Sequence, residues 1–151
     1  MLDDSDRRLL RHLQADPGQP IGELAEAARL PLATAYKRLD RLKDEGILRG
    51  QHAVIDWQAL GYAVEVSLRI TLDKTNPRAF DDFLAAAREV PEVIEIQTFL
   101  GRVDARLMVI ARDLPEYQKV YRNRILTLPH IADIEALMQV ATIKNTQSLP
   151  L

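Results

Sequence analysis

Apolar residues recur along this chain in two rhythms, one in each half. Up to about residue 46 they fall three and four apart, the spacing of helices buried on one side. Leu9, Leu10 and Leu13 form one such stripe, and Asp3 or Asp4 is placed to cap the helix that carries it. Asp16-Pro17-Gly18 ends it as a turn. Ile21, Leu24, Ala25 and Ala28 mark a short second helix over about Pro20–Ala28, with Pro20 at its first turn. The stretch "RLPL" then turns into a third helix over about Leu32–Glu45. Ala35, Leu39 and Leu42 face inward on it, and Gly46 stands where a C-terminal glycine cap belongs. Three helices with a tight turn between the second and third form a helix-turn-helix arrangement. "ILRGQHAVI", loosely alternating around Gly50, suggests a short hairpin or wing after it.

Beyond "DWQALGY" (Asp56–Tyr62) the period becomes two. Val64, Val66, Leu68, Ile70 and Leu72 line one face of a strand, and "EVIEIQTFLG", "DARLMVIAR" and "ADIEALMQVATI" read as three more. Between them, Asn76-Pro77 opens a helix with Phe80, Phe83, Leu84 and Ala87 inward. Pro115 starts another, with Tyr117, Val120, Tyr121, Ile125 and Leu128. The order β-α-β-β-α-β is that of a ferredoxin-like split unit. The expected fold is α+β. A winged helix-turn-helix domain spans residues 1–53, a linker 54–62, and a ferredoxin-like βαββαβ domain 63–151. The first strand's apolar face exceeds what two helices cover, so pairing of two copies through their sheets is expected.

Composition changes this picture little. Hydrophobic residues make up 47% and charged residues 28% of the 151, an ordinary soluble balance. There is no cysteine, which excludes disulfides and thiolate metal sites. No apolar run approaches the roughly 18 residues needed to cross a bilayer, and the acidic N-terminus does not read as a signal peptide. A cytoplasmic protein without a membrane partner is expected. The net charge of −2 gives no general attraction to nucleic acid, so local placement of cations has to decide.

Local placement singles out the third helix, where Lys37, Arg38, Arg41 and Lys43 fall within seven positions. At 100° per residue Thr34, Lys37, Arg38 and Arg41 occupy a solvent-directed sector beside the apolar face, with Ala33 next to them. Small side chains at the first turn let a helix enter the major groove, while long cations reach base edges and phosphates. Ala33, Thr34, Lys37, Arg38 and Arg41 are therefore the candidate DNA contacts, and Arg49 and His52 add candidate phosphate contacts from the wing. The competing reading of such a sector is a solvated charged face.

Residues 2–50 resemble the DNA-binding half of the leucine-responsive/asparagine-regulator (Lrp/AsnC) family. The matching stretches are "LDDSDRRLL" at the start, "ELA" in the second helix and "RLDRLKDEGILRG" closing the third. "LGY", "PEVIEIQTFLGRVDARLMV" and the C-terminal "KNTQSLPL" extend the likeness over nearly the whole chain. Pro31-Leu32 departs from the Ser-Pro usual there, removing a serine cap worth about 1 kcal/mol.

The resemblance implies a transcriptional regulator that binds double-stranded DNA, carries no cofactor and forms homodimers assembling into octamers. It also implies a small amino-acid-like effector held between dimers. The effector loop maps onto "FLGRVDARL", with Leu100, Gly101, Arg102, Asp104 and Arg106 as lining residues and Met138 and Val140 as an apolar wall. A carboxylate there pairs with an ammonium, and backbone N–H groups hold a carboxylate. The competing reading is a hairpin in which Gly101 and Asp104 only make the turn. Many members have an aromatic and then an apolar residue after the aspartate, where this chain has Ala105 and Arg106. Arg106, at the strand parity of Asp104, either neutralises it or selects an effector with a second anionic group, so plain leucine is expected to be a poor ligand.

Two other functions compete. Sirohaem decarboxylases share the two-part architecture, so the fold alone does not exclude an enzyme. Yet His12, His52 and His130 lack metal-ligand spacing, only three serines are present, and no Gly-rich phosphate loop occurs. The cationic helix favours DNA over catalysis. The second rival is a sensing or assembly protein that has lost DNA binding, to which the missing serine and the acidic first domain would point.

Overall fold

A computed structural model describes all residues, 1–151, as two compact units. Met1–Val54 together with Lys144–Leu151 form the first, and Ile55–Ile143 the second.

In the first unit, α1 (Asp4–Ala15), α2 (Ile21–Ala27) and α3 (Leu32–Asp44) bury Leu9, Leu13, Leu24, Ala25, Ala28, Ala35 and Leu39 together. These are the positions the three-four spacing selects. Asp3 caps α1 reciprocally: its carboxylate accepts the Asp6 N–H at 2.8 Å, and that of Asp6 accepts the Asp3 N–H at 3.0 Å. Gly46, at φ +69°, ends α3 by turning the N–H groups of Ile47 and Leu48 back onto the Leu42 carbonyl, both at 2.9 Å. The expected hairpin does not form, and residues 47–56 contain no strand. The first amides of that segment are spent on the helix end, and an isolated two-stranded hairpin is marginal in water.

The α2–α3 turn places Arg29 at φ +56°, a left-handed conformation that costs a side-chain-bearing residue about 1–2 kcal/mol. Arg29→Gly relieves that strain but adds chain entropy to the unfolded state. Thermal denaturation should show it unchanged or up to about 1 kcal/mol more stable, whereas Arg29→Ala, which keeps the strain, should show no gain.

The C-terminal segment, assigned by its place in sequence to the second domain, lies on α1 instead. Gln14 Nε2 donates to the Leu149 carbonyl at 2.7 Å, and the Leu149 N–H donates to Gln14 Oε1 at 2.9 Å. Arg11 Nε donates to the Leu151 carbonyl at 2.7 Å.

The second unit runs β1 (Val64–Leu72), α4 (Ala79–Arg88), β2 (Val93–Thr98), β3 (Ala105–Ala111), α5 (Leu114–Val120) and β4 (Ile131–Met138). A π-helical turn, Tyr121–Ile125, continues α5 and is closed by the Leu126 N–H on the Tyr121 carbonyl at 2.9 Å. The strands form one antiparallel sheet in the order β2-β3-β1-β4. Val66, Leu68, Ile70 and Leu72 meet Ala105, Leu107, Val109, Phe83, Tyr117 and Ile125 in a core on one face. The opposite face carries Ser67, Arg69, Arg106, Met108, Ile110 and Leu137, none fully buried in the single chain.

Candidate functional site

Seen along its axis, α3 sends Ala35, Leu39 and Leu42 into the core. Its outermost stripe is Ala33, Lys37, Asp40 and Asp44, flanked by half-exposed Tyr36 on one side and Thr34 on the other. Ala33, Thr34, Lys37, Arg38 and Arg41 line one open depression of about 510 Å³ on this side. Five of the seven residues expected to contact DNA therefore share one surface. Arg49 is exposed on the irregular segment beyond it, as is His52.

Arg38 and Arg41 differ from the solvent-directed sector expected of them. Arg38 lies about 140° around the helix from Ala33, next to the buried edge. Its Nη1 donates to Asp3 at 2.6 Å and to Asp6 at 2.9 Å. Arg41 Nη2 donates to Asp6 at 2.6 Å, with Glu45 at 3.5 Å from Nη1. Asp6 is wholly buried, while the two arginine side chains are 26% and 37% exposed. Burial pushes the Asp6 carboxyl up. Hydrogen bonds from Arg41, the Asp3 N–H and Arg38 outweigh that and hold it far below the usual carboxylate range. Two cations thus face two carboxylates, with a third nearby, so this corner offers little net attraction to phosphate. Lys37 and Arg49 have no such ion-pair partner.

The N-terminus of α3 has no side-chain cap at Pro31, in line with the missing serine. Its first-turn N–H groups are therefore left without a side-chain acceptor at the positive end of the helix dipole.

The second set of candidates is only partly brought together. Leu100, Gly101 and Arg102 project on an exposed loop between β2 and β3, with Gly101 at φ +153°. A Cβ at Gly101 would meet nothing within 4 Å, so backbone conformation is what asks for glycine there. Asp104 is buried. Its carboxylate accepts the Leu72 N–H at 2.8 Å and the Lys74 ammonium at 2.8 and 3.0 Å. Burial pushes this carboxyl up too, and the Leu72 N–H and Lys74 more than reverse it, holding it below the ordinary value.

Arg106 does not neutralise Asp104. It lies on the open sheet face opposite Gln97 and Arg69, with Nη2 3.5 Å from Glu95. The parity rule fails because Asp104 precedes the regular strand and turns its side chain toward the end of β1. Met138 pairs with Val66, six residues back along β1 from Leu72. Met138 and Val140 therefore sit about 20 Å from the loop within one chain. Lys74, on the β1–α4 connection, is the loop residue that sequence reading missed; nothing in "DKTNP" signals which carboxylate it meets.

A helix-turn-helix unit with an outward third helix, joined to a ferredoxin-like sheet with a charged loop at one end, is the architecture of a regulator with a DNA-binding and a ligand-binding domain. Similarity to known proteins decides between that class and an enzyme of the same fold. Residues 2–49 match the winged helix-turn-helix DNA-binding model, and residues 65–149 match the Lrp/AsnC ligand binding domain. The chain is 32% identical over its whole length to the DNA-binding transcriptional activator DecR of Escherichia coli K12, 99% of which is covered. It is 30% identical to the proline dehydrogenase transcriptional activator of Rhodobacter capsulatus, over 99% of this chain and 98% of that one. A Neisseria meningitidis transcriptional regulator crystallised with L-methionine superposes with a TM-score of 0.90 at 26% identity, covering 99% and 97% of the two chains. The feast or famine regulatory protein of M. tuberculosis, also complexed with L-methionine, gives 0.86 at 26% identity, covering 99% of each. The chain belongs to the Lrp/AsnC family and is a DNA-binding transcriptional regulator of that type. The relatives from Escherichia coli and Rhodobacter capsulatus are both named as transcriptional activators. No helix is long and apolar enough to cross a membrane.

Proposed function

We propose that α3 docks in the major groove of duplex DNA, that the chain acts as a symmetric homodimer assembling further toward an octamer, and that an amino acid at the Leu100–Asp104 loop shifts this assembly. The observation that carries the reading is the outward face of α3, with Ala33, Thr34 and Lys37 beside uncapped first-turn N–H groups and Arg49 close in sequence. The open sheet face, with Met108, Ile110 and Leu137, suits self-association. At the loop, the Lys74 ammonium and the exposed Arg102 offer donors to a ligand carboxylate, and Asp104 offers an acceptor to its ammonium. Met138 and Val140 take part only if a second copy brings them to the loop, as a site between dimers requires. Arg106 stands on the open sheet face and not beside Asp104, so an effector with a second anionic or polar group would have to meet it from that face, and plain leucine belongs in the screen as the contrasting probe. L-Methionine, which two related regulators hold, becomes the first probe.

The test combines selection of duplex fragments by the purified chain with sizing and thermal-shift measurements over the common amino acids. Protected half-sites should lie about one helical turn, or a multiple, apart on one face. An effector should change DNA affinity roughly 5–150-fold, the usual range of allosteric coupling. No fragment enriched over random duplex would remove the DNA reading. A hit that stabilises Arg102→Ala and Lys74→Ala as much as the unaltered chain would place its site elsewhere.

A further inference from the structure

We propose that α3 reads base edges with Tyr36, Lys37 and Asp40, while Arg38 and Arg41 are positioning residues that brace the helix through Asp6. The proposal rests on α3 being the DNA-binding helix and divides the labour within it.

The arginines are already committed. A guanidinium that reads guanine presents two N–H groups side by side to O6 and N7. Arg38 spends Nη1 on Asp3 and Asp6, and Arg41 spends Nη2 on Asp6 at 2.6 Å. To reach a base, Arg41 would have to leave a short charge-assisted bond and strip a wholly buried carboxylate of one of its partners. Lys37 faces no such conflict, since no carboxylate holds it and it sits on the outermost line of the helix. Asp40 follows it on the same line, with only Lys43 at 4.0 Å, both side chains well exposed. Tyr36 presents an exposed ring one step aside. Ala33 leaves room for the backbone to approach at the first turn.

The chemistry of the three is complementary. The Lys37 ammonium suits guanine O6 and N7, the Asp40 carboxylate accepts from cytosine N4, and the Tyr36 ring makes apolar contact with a thymine methyl. Asp40 is the informative member. A carboxylate in the middle of a DNA-facing surface repels phosphate and weakens binding to every sequence. What it offers in return is rejection of duplexes that present no donor opposite it.

The experiment selects half-sites from a randomised duplex pool with the full-length chain and follows affinity for operator and random duplex across salt. Asp40→Ala should bind random duplex more tightly while the operator-to-random ratio falls about 5–150-fold, the range of one good base contact. Lys37→Gln and Tyr36→Ala should each relax preference at a base pair of their own. The double variant Asp6→Asn/Arg41→Gln replaces the charged tie by a neutral hydrogen-bonded one and should keep the original base preferences. Relaxed preference at a single base pair in that double variant, with the chain folded by circular dichroism, makes Arg41 a reader and overturns the proposal. An unchanged operator-to-random ratio in Asp40→Ala overturns it whether or not the double variant folds. If none of the α3 variants alters the selected sites or the salt dependence, the underlying assignment of α3 to DNA fails as well, and the two failures are thereby told apart.

Discussion

Asp6→Ala is expected to destabilise the first unit by about 2–4 kcal/mol, the largest effect of any single polar substitution in it. Its carboxylate is wholly buried and accepts from Arg38 at 2.9 Å, Arg41 at 2.6 Å and the Asp3 N–H at 3.0 Å. Removing one partner of a buried ion pair costs about 3–5 kcal/mol when the other charge is stranded. Here the arginines are partly exposed and can rehydrate, which lowers the figure, while loss of half the capping box adds to it. The acid limb of the stability curve provides a second readout. The Asp6 carboxyl titrates below its unfolded value of 3.8, so its contribution is complete above that pH and is lost as pH falls toward the folded value. The unaltered chain should therefore lose stability below about pH 4, and Asp6→Ala should do so less steeply. Helical melting of the full chain checks both. A change within 0.5 kcal/mol and an unaltered acid limb would mean that the short contacts to α3 contribute nothing net (about the scatter of surface substitutions).

The second large effect is expected at Asp104. Asp104→Ala leaves the Leu72 N–H without its acceptor and Lys74 without its partner, at a cost of about 1–3 kcal/mol. The loss should appear with no amino acid present. Asp104→Asn keeps an acceptor for Leu72 and forfeits only the pairing with a largely exposed lysine, so it should lose about 1 kcal/mol or less. If the carboxylate served only a ligand, both variants would melt with the unaltered chain in the absence of amino acids. Thermal denaturation of the three proteins, with and without L-methionine, separates the two roles.

These sites show where reading by pattern stops. The i, i+3 spacing of Asp3 and Asp6 signals a helix start, and that capping role holds. The same spacing contains no trace that Asp6 also receives two guanidiniums from a helix more than thirty residues away. Placing Arg38 in the solvent sector grouped it with Thr34 and Lys37, although at about 100° per residue it stands only about 40° from the buried Leu42. What no wheel of α3 could show is the neighbouring helix and its cap, whose carboxylates close that edge. Likewise, parity along β3 works for the regular strand, where Ala105, Leu107 and Val109 turn inward, and fails one residue before it at Asp104.

What the chain's order of residues determined by itself is the set of elements and their buried faces. Periodicity is a local property, enforced by 3.6 residues per helical turn and two per strand repeat, and it survives any arrangement of those elements. Leu9, Leu24, Leu42, Leu68 and Phe83, each buried here, follow from it directly. Only the tertiary structure decided which charges cancel. Coulomb attraction and hydrogen bonding act through space over a few ångströms, and sequence distance does not measure that separation. So it fell to the packing of α3 on α1 to neutralise Arg38 and Arg41 and leave Lys37 outward. The packing of β1 beside β3 gave Asp104 to Lys74 rather than to Arg106.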